Sequence, residues 1–314
     1  MKRDRIGYKV QLQVKTTETL QIMPKVSVCM IAYNHASFIR QAIESVLDQK
    51  VAFSLELVIG DDCSTDDTAA ICQEFAQRDS RVRVLPREKN LGVMPNFTRT
   101  LLACEGEYIA VCEGDDYWTD PLKLEKQIAF LESHQDYAGS THQALVISDN
   151  GSVRQFKQNV AATLVTTDLI GGRLFHMASV VFRQPVVDLF CKAPLVLSCD
   201  RLLNFCISFL GKIHFSEEVM CVYRLHGAGL SSNATVEQMK LDLNSIPYLK
   251  RLQPRFPKYR YLSYVYATIG LCRAARRDQM LYFLMLSFIY SFANFPRNLT
   301  VIGSRLFRSR VGSW

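Results

Sequence analysis

"KVSVCMIAY" (25–33) and the "NHASFIRQAIESVLDQ" that follows it (34–49) decide the fold. The first segment is apolar and rich in β-branched residues at nearly every position, which marks a strand buried on both faces. In the second, Ile39, Ala42, Ile43, Val46 and Leu47 recur at helical spacing and line one face. Outward from this pair the alternation continues. "LELVIG" (55–60) predicts a second strand with a helix over 66–77, and "RVRVL" (81–85) a third with a helix near 94–104. "EYIAVC" (107–112) predicts a fourth, with a helix over 121–133 opened by Pro121, a residue suited to a first helical turn. Ser64 or Thr65 is the expected cap of the helix behind the second strand. Strands and helices in this rhythm imply parallel pairing in an open α/β sheet.

Past residue 138 the pattern is less regular, with strand-like "STHQALVIS" and "ASVVFR" and a helix expected around 200–210. From about 235 the chain reads as helical to its end, interrupted at Pro247, Pro254, Pro257 and Pro296. The length of 314 residues and the hydrophobic content of 48% support a substantial core. Ten cysteines stand among apolar residues with no CxxC pair, so they read as reduced, mostly buried thiols. The first 25 residues hold no apolar core of signal-peptide length, and the cytosol is the expected compartment.

In an open α/β sheet, ligands bind beyond the carboxyl ends of the strands. Those ends are Tyr33-Asn34, Asp61-Asp62, the "REKNLG" loop (87–92) and the turn "EGDD" (113–116), so the acids meet in one crevice. Like charges raise the cost of ionising one another. No GxxxxGK[ST] is present and no GxGxxG follows the first strand, so phosphate is offered carboxylates rather than a glycine-rich cradle. A hard divalent cation, Mg²⁺ or Mn²⁺, held by one or two carboxylates and by diphosphate oxygens, reconciles the two. The competing reading of Glu113–Asp116 is a solvated turn with an Asp capping the next helix.

"VSVCMIAYNHASFIRQAIESVLDQ", "VIGDDCSTDDT", "NLGVMPNF" and "CEGDDYWTDPLKLEKQIAFL" resemble, in order, the motifs of the family 2 glycosyltransferases over residues 25–135. "LSCDRLL" and "YRLHGAGLS" resemble later elements of that family. The resemblance implies a GT-A fold, a Rossmann-like and mostly parallel sheet flanked by helices, here with a helical C-terminal extension. It implies an N-terminal extension (1–24), a glycosyltransferase domain (25–234, with a nucleotide-sugar half to 135 and an acceptor half from 136) and a basic helical region (235–314). It also implies a UDP, dTDP or GDP sugar as donor, near Tyr33, Asn34, Asp61, Asp62, Glu113 and Asp115. Metal binding falls to Asp115 or Asp116, with His226 in reach of metal or diphosphate. Glu113 stands where many relatives have Asp.

Inverting transfer needs a base for the acceptor hydroxyl. The family's base is a late carboxylate opening a helix, commonly the second acid of Glu-Asp, and Asp200 matches it with Cys199 in the Glu place. The competing reading of Asp200 is an N-cap or an ion-pair partner of Arg201 or Lys192. Arg224 and His176 are secondary candidates for contact with phosphate or acceptor.

Residues 251–314 carry 11 Lys and Arg against the single acid Asp278. Within them "MLYFLMLSFIYSFANF" (280–295) is too short for a bilayer crossing of about 20 apolar residues. It reads as a helix on an anionic membrane face, or as half of a hairpin packed on the enzyme. No RNA- or DNA-binding motif accompanies the basic residues. The expectation is a metal-dependent inverting glycosyltransferase of cell-surface polysaccharide or lipopolysaccharide synthesis, with a glycan or lipid-linked acceptor. A sugar-phosphate nucleotidyltransferase and a non-catalytic nucleotide-sugar-binding scaffold are the alternatives.

Overall fold

A computed structural model describes residues 23–86, 88–227, 234–272 and 274–290. The first half follows the predicted rhythm: β1 (Val26–Ala32), α1 (Ile39–Leu47), β2 (Leu55–Asp61), α2 (Thr68–Arg78), β3 (Val82–Val84), α3 (Val93–Leu102) and β4 (Tyr108–Val111). There follow β5 (Tyr117–Trp118), α4 (Lys123–Ser133), β6 (Tyr137–Ser148), β7 (Val153–Gln155), β8 (Thr163–Leu164), β9 (Val181–Arg183), α5 (Pro185–Cys191), α6 (Cys199–Leu210) and β10 (Lys212–Leu225). The last helices are α7 (Val236–Lys240), α8 (Ser245–Leu252), α9 (Lys258–Gly270) and α10 (Arg277–Ile289).

The strands form one sheet in the order β3-β2-β1-β4-β9-β6-β10-β5, with β7 on β6 and β8 on β10. The predicted parallel block is β3-β2-β1-β4. Beyond it the sheet is mixed, because β9 enters antiparallel between β4 and β6, while β6 and β10 run parallel. In β1, Val26, Val28 and Met30 pack with Ile39, Ile43 and Leu124 on one face, and Cys29 packs with Phe97 and Leu101 on the other. The second cluster continues through Phe190 and Phe205 to Phe256, Tyr261 and Phe283, so the C-terminal helices share a core with the sheet.

Several local expectations are corrected. "ASVVFR" is not one strand: Met177–Ser179 is a 3-10 turn, held by Ser179 Oγ donating to the His176 carbonyl at 2.6 Å, and only Val181–Arg183 pairs. Neither Ser64 nor Thr65 caps α2: its N-cap residue is Asp67, which makes no side-chain cap bond, while Asp66 Oδ1 accepts from Thr68 N at 3.0 Å and the Ser64 hydroxyl is given to Asp61. Pro121 precedes α4 instead of opening it, and Pro247 lies inside the first turn of α8 without interrupting it. α9 and α10 pack as a hairpin, Ser263 Oγ donating to the Ser287 carbonyl at 2.9 Å. The expected helix beyond 290, with Arg297, Arg305, Arg308 and Arg310, lies outside the described residues.

Lys123, at the start of α4, is fully buried; its Nζ donates to Gln127 Oε1 at 2.8 Å and lies 4.1 Å from the Trp118 ring centroid. Burial lowers its pKa to about 7. The unfolded chain holds that proton up to the ordinary lysine range of about 10.4. Between those values the unfolded state binds more protons, so stability rises with pH, by at most about 1.4 kcal/mol per pH unit. The Trp118 face favours the cation and makes the slope shallower. Urea melts across this range are expected to show the rise in the unaltered chain and to lose it in Lys123→Met; a slope unchanged by the substitution refutes the assignment.

Candidate active site

The carboxyl ends of β1 and β2 are level, Ala32 pairing with Asp61, and the chain after β4 continues alongside β1 as Gly114 N donates to the Ile31 carbonyl at 2.9 Å. The acidic turn is thereby set against the loop after β1. Gly114 makes this approach possible, because a Cβ there would fall 2.7 Å from Ile39 Cδ1 and 3.0 Å from His35 Nδ1.

Tyr33 is 45% exposed beside the crevice, a flat aromatic face open to a planar ligand. Asn34 takes a positive φ of 57°, at which Asn is better tolerated than most residues. Its Oδ1 accepts from Thr65 N at 2.8 Å and its backbone N–H donates to Ser64 Oγ at 2.9 Å, tying the loops after β1 and β2 together. Asp61 is buried and accepts from Ser64 N at 3.1 Å. Asp62 is buried too, and its carboxylate accepts from Leu91 N at 2.9 Å and Gly92 N at 2.8 Å. Within the protein Asp62 therefore anchors the loop that leads into α3.

The end of β10 delivers a second group of residues to the acidic turn. His226 Nε2 lies 3.0 Å from Asp115 Oδ2, and His35 Nε2 approaches the same oxygen at 3.9 Å. Arg224 donates from its backbone N to Asp116 Oδ1 at 3.0 Å and from Nη1 to the Asp115 carbonyl at 2.7 Å. Burial pushes the Asp115 pKa up, but the His226 hydrogen bond and the His35 charge outweigh it and hold the carboxyl below its ordinary range. The same hydrogen bond raises His226. Asp115 is thus the ionised member of the turn.

Asp116 is different, with its side chain only 1% exposed. Among the described residues its Oδ2 has no hydrogen-bond partner; it lies 3.3 Å from His176 Nδ1, a nitrogen that already accepts from Ala178 N at 3.3 Å. Two acceptors facing each other require a proton or a cation between them. Burial, with the charges of Asp115 and Glu113, pushes the Asp116 carboxyl well up. Glu113 Oε2 lies 3.9 Å from His176 Nε2 and is itself raised to about 8 by burial and by the charges of Asp115 and Asp200.

The expected metal residues Asp115, Asp116 and His226 are accordingly divided. Asp115 and His226 meet at the open side of the turn. Asp116 faces inward, and among the described residues the cluster of three with metal-ligand proximity is Glu113, Asp116 and His176, whose ligand atoms lie within 4.8 Å of one another. Both sets offer the oxygen and imidazole donors that a divalent ion accepts.

Asp200 sits in the first turn of α6, close enough to the same crevice for its charge to act on Glu113 and His176. Its ion-pair partner is Arg173, with Nη1 3.7 Å from Oδ2, rather than the Arg201 guanidinium or Lys192. Arg173 and His35 escaped the sequence reading. His35 had a signal, since it follows Tyr33-Asn34 directly; Arg173 had none, lying in an irregular segment 27 residues before its partner.

An α/β sheet whose β1, β2 and β4 ends gather carboxylates in one crevice, backed by a mixed second half, is the GT-A architecture. The structure of S. aureus TarS 1–349 in complex with UDP-GlcNAc superposes with a TM-score of 0.57 at 17% identity, over 90% of this chain and 80% of that one. The mannosyltransferase PcManGT from Pyrobaculum calidifontis, in complex with GDP-Man and Mn²⁺, gives a TM-score of 0.56 at 16% identity, over 91% of this chain and 81% of that one. Residues 27–178 match the family model described as glycosyl transferase family 2. An uncharacterized protein of Mycobacterium tuberculosis is 37% identical over 219 residues, 68% of this chain and 62% of the relative's own length. TuaG of Bacillus subtilis, named for teichuronic acid biosynthesis, is 35% identical over 133 residues, 42% of this chain and 52% of its own.

Proposed function

We propose that the chain is an inverting glycosyltransferase that moves a sugar from a nucleoside diphosphate to a hydroxyl of a growing glycan or lipid-linked acceptor in cell-surface polysaccharide synthesis. The observation that carries this reading is the meeting of ionised Asp115 with His226 at the mouth of a crevice that also holds Asp200.

Tyr33 stacks the base and Asp61 receives base or ribose at the β2 end. Asn34 fixes the loop that carries Tyr33, while Asp62 and Glu113 border the ribose and the sugar. Asp115 and His226, both partly exposed, would hold a divalent ion and leave room for donor oxygens, as Mg²⁺ and Mn²⁺ prefer. When bound, that ion supplies charge for the departing diphosphate. His35, with Nε2 3.9 Å from Asp115 Oδ2, orients the Asp115 carboxylate. Asp200 accepts the proton of the attacking hydroxyl, and Arg173 steers its carboxylate.

A lipid-linked acceptor fits the far end of the chain. No described helix is long and apolar enough to cross a membrane. On α10, however, Leu281, Tyr282, Met285, Phe288 and Ile289 are exposed, next to Arg276 and Arg277. Such a face suits shallow contact with an anionic bilayer, on the cytoplasmic side where nucleotide sugars are made.

The decisive experiment follows thermal unfolding with a panel of UDP, GDP and dTDP sugars, with and without Mn²⁺. One donor is expected to stabilise the chain only with metal, by about 2.7 kcal/mol at a concentration of a hundred Kd. No shift with any nucleotide sugar, in either condition, refutes the reading.

A further inference from the structure

Asp242 lies away from the crevice, in the 3-10 turn Leu241–Asn244 between α7 and α8, and is 1% exposed. Its carboxylate turns to another part of the chain. Oδ1 accepts from Leu197 N at 3.0 Å and Ser198 N at 2.8 Å, and Oδ2 accepts from Ser198 Oγ at 2.7 Å. Ser198 is the N-cap residue of α6, but its side chain makes no cap bond, and its hydroxyl is turned to Asp242 instead. The entry of α6 is therefore fixed by an acid from 44 residues downstream, which also places negative charge at the positive end of that helix. Asp200 follows two residues later.

The same support extends to the partner of Asp200. Arg201 Nη1 lies 3.5 Å from Asp242 Oδ2, and its guanidinium carbon lies 4.7 Å from the ring centroid of Tyr264. Tyr264 in turn borders Gly172, whose φ of +129° favours glycine; a Cβ at that position would stand 3.5 Å from the Tyr264 hydroxyl. Gly172 precedes Arg173, which pairs with Asp200. Both halves of the Arg173–Asp200 pair thus rest on one cluster from the C-terminal helices. A buried Arg–Asp contact is a weak source of stability, whereas three charge-assisted hydrogen bonds to two adjacent residues specify a conformation.

We infer that Asp242 is a positioning residue for sugar transfer, setting the aim of the Asp200 carboxylate through the entry of α6. This rests on Asp200 being the base. Asp242→Asn keeps the shape of the side chain and removes its charge. The readout is Mn²⁺-stimulated hydrolysis of whichever of UDP-N-acetylglucosamine, UDP-glucose and GDP-mannose the unaltered chain turns over fastest. The expected result is a fall in kcat of about tenfold with donor KM unchanged, since misplacement of a catalytic group by about an ångström costs up to about a hundredfold. In an Asp200→Asn background the same change is expected to add nothing, because no carboxylate remains to be aimed. Ser198→Ala, which deletes a single hydrogen bond, is expected to lower kcat several-fold and decides the matter if Asp242→Asn does not fold. Unchanged kcat in the variant that folds, or an equal further loss in the Asp200→Asn background, overturns the inference while leaving the glycosyltransferase reading intact. A chain that hydrolyses none of the three donors overturns the assignment of Asp200, and this inference with it.

Discussion

Asp200→Asn is expected to abolish turnover while leaving donor binding in place, with kcat falling about 10²–10⁴-fold, the usual contribution of a positioned general base. The amide matches the carboxylate in size, can still accept from Arg201 N as Oδ1 does at 2.8 Å, and leaves α6 unstrained. What it lacks is basicity. Arg173 then faces a neutral group instead of an anion across 3.7 Å, so the local charge becomes more positive and a diphosphate donor is not repelled. Single-turnover transfer or metal-stimulated donor hydrolysis, measured beside calorimetric donor affinity, separates the two effects. Normal turnover in this variant removes Asp200 from the reaction.

The second large effect separates two neighbours. Asp115→Asn should cost more than the ~10–100-fold in metal affinity that loss of an outer-shell partner typically brings, because it removes the ionised oxygen held by His226. Manganese-dependent donor binding should vanish with it. Asp116→Asn should retain both. Its amide oxygen can accept from Arg224 N as Asp116 Oδ1 does, and its NH₂ supplies the donor that His176 Nδ1 meets across 3.3 Å. The reverse outcome, metal dependence surviving Asp115→Asn and lost in Asp116→Asn, moves the ion inward to Glu113, Asp116 and His176.

The parallel block was legible because β1, β2 and β4 are apolar at almost every position, as burial on both faces requires, whereas the edge strand β3 alternates Val with Arg83 and was read from its place in the rhythm. The acids at the strand ends were legible for the same reason: chain direction alone places them on one rim. The division of labour within "EGDD" was not, since Asp115 and Asp116 are adjacent in sequence and differ only in which way the turn aims them. That aim is set by Arg224 and His226, more than a hundred residues away. Asp242 was invisible for a similar reason, as an acid near a helix start reads as a local cap when its partners lie in another segment.

The late insertion of β9 has a consequence for anyone cutting the gene. A fragment taken at the limits of the family match, residues 27–178, ends three residues short of Val181, the first residue of the strand that closes β4. Such a piece would display the open border of β4, including the Val111 amide that Val180 now satisfies, as a template for any passing extended chain. The nascent polypeptide meets the same exposure on the ribosome until Arg183 emerges. Expression boundaries should therefore be drawn beyond β9, and precipitation of a shorter product would reflect an unguarded sheet margin rather than a defect in the nucleotide-binding half.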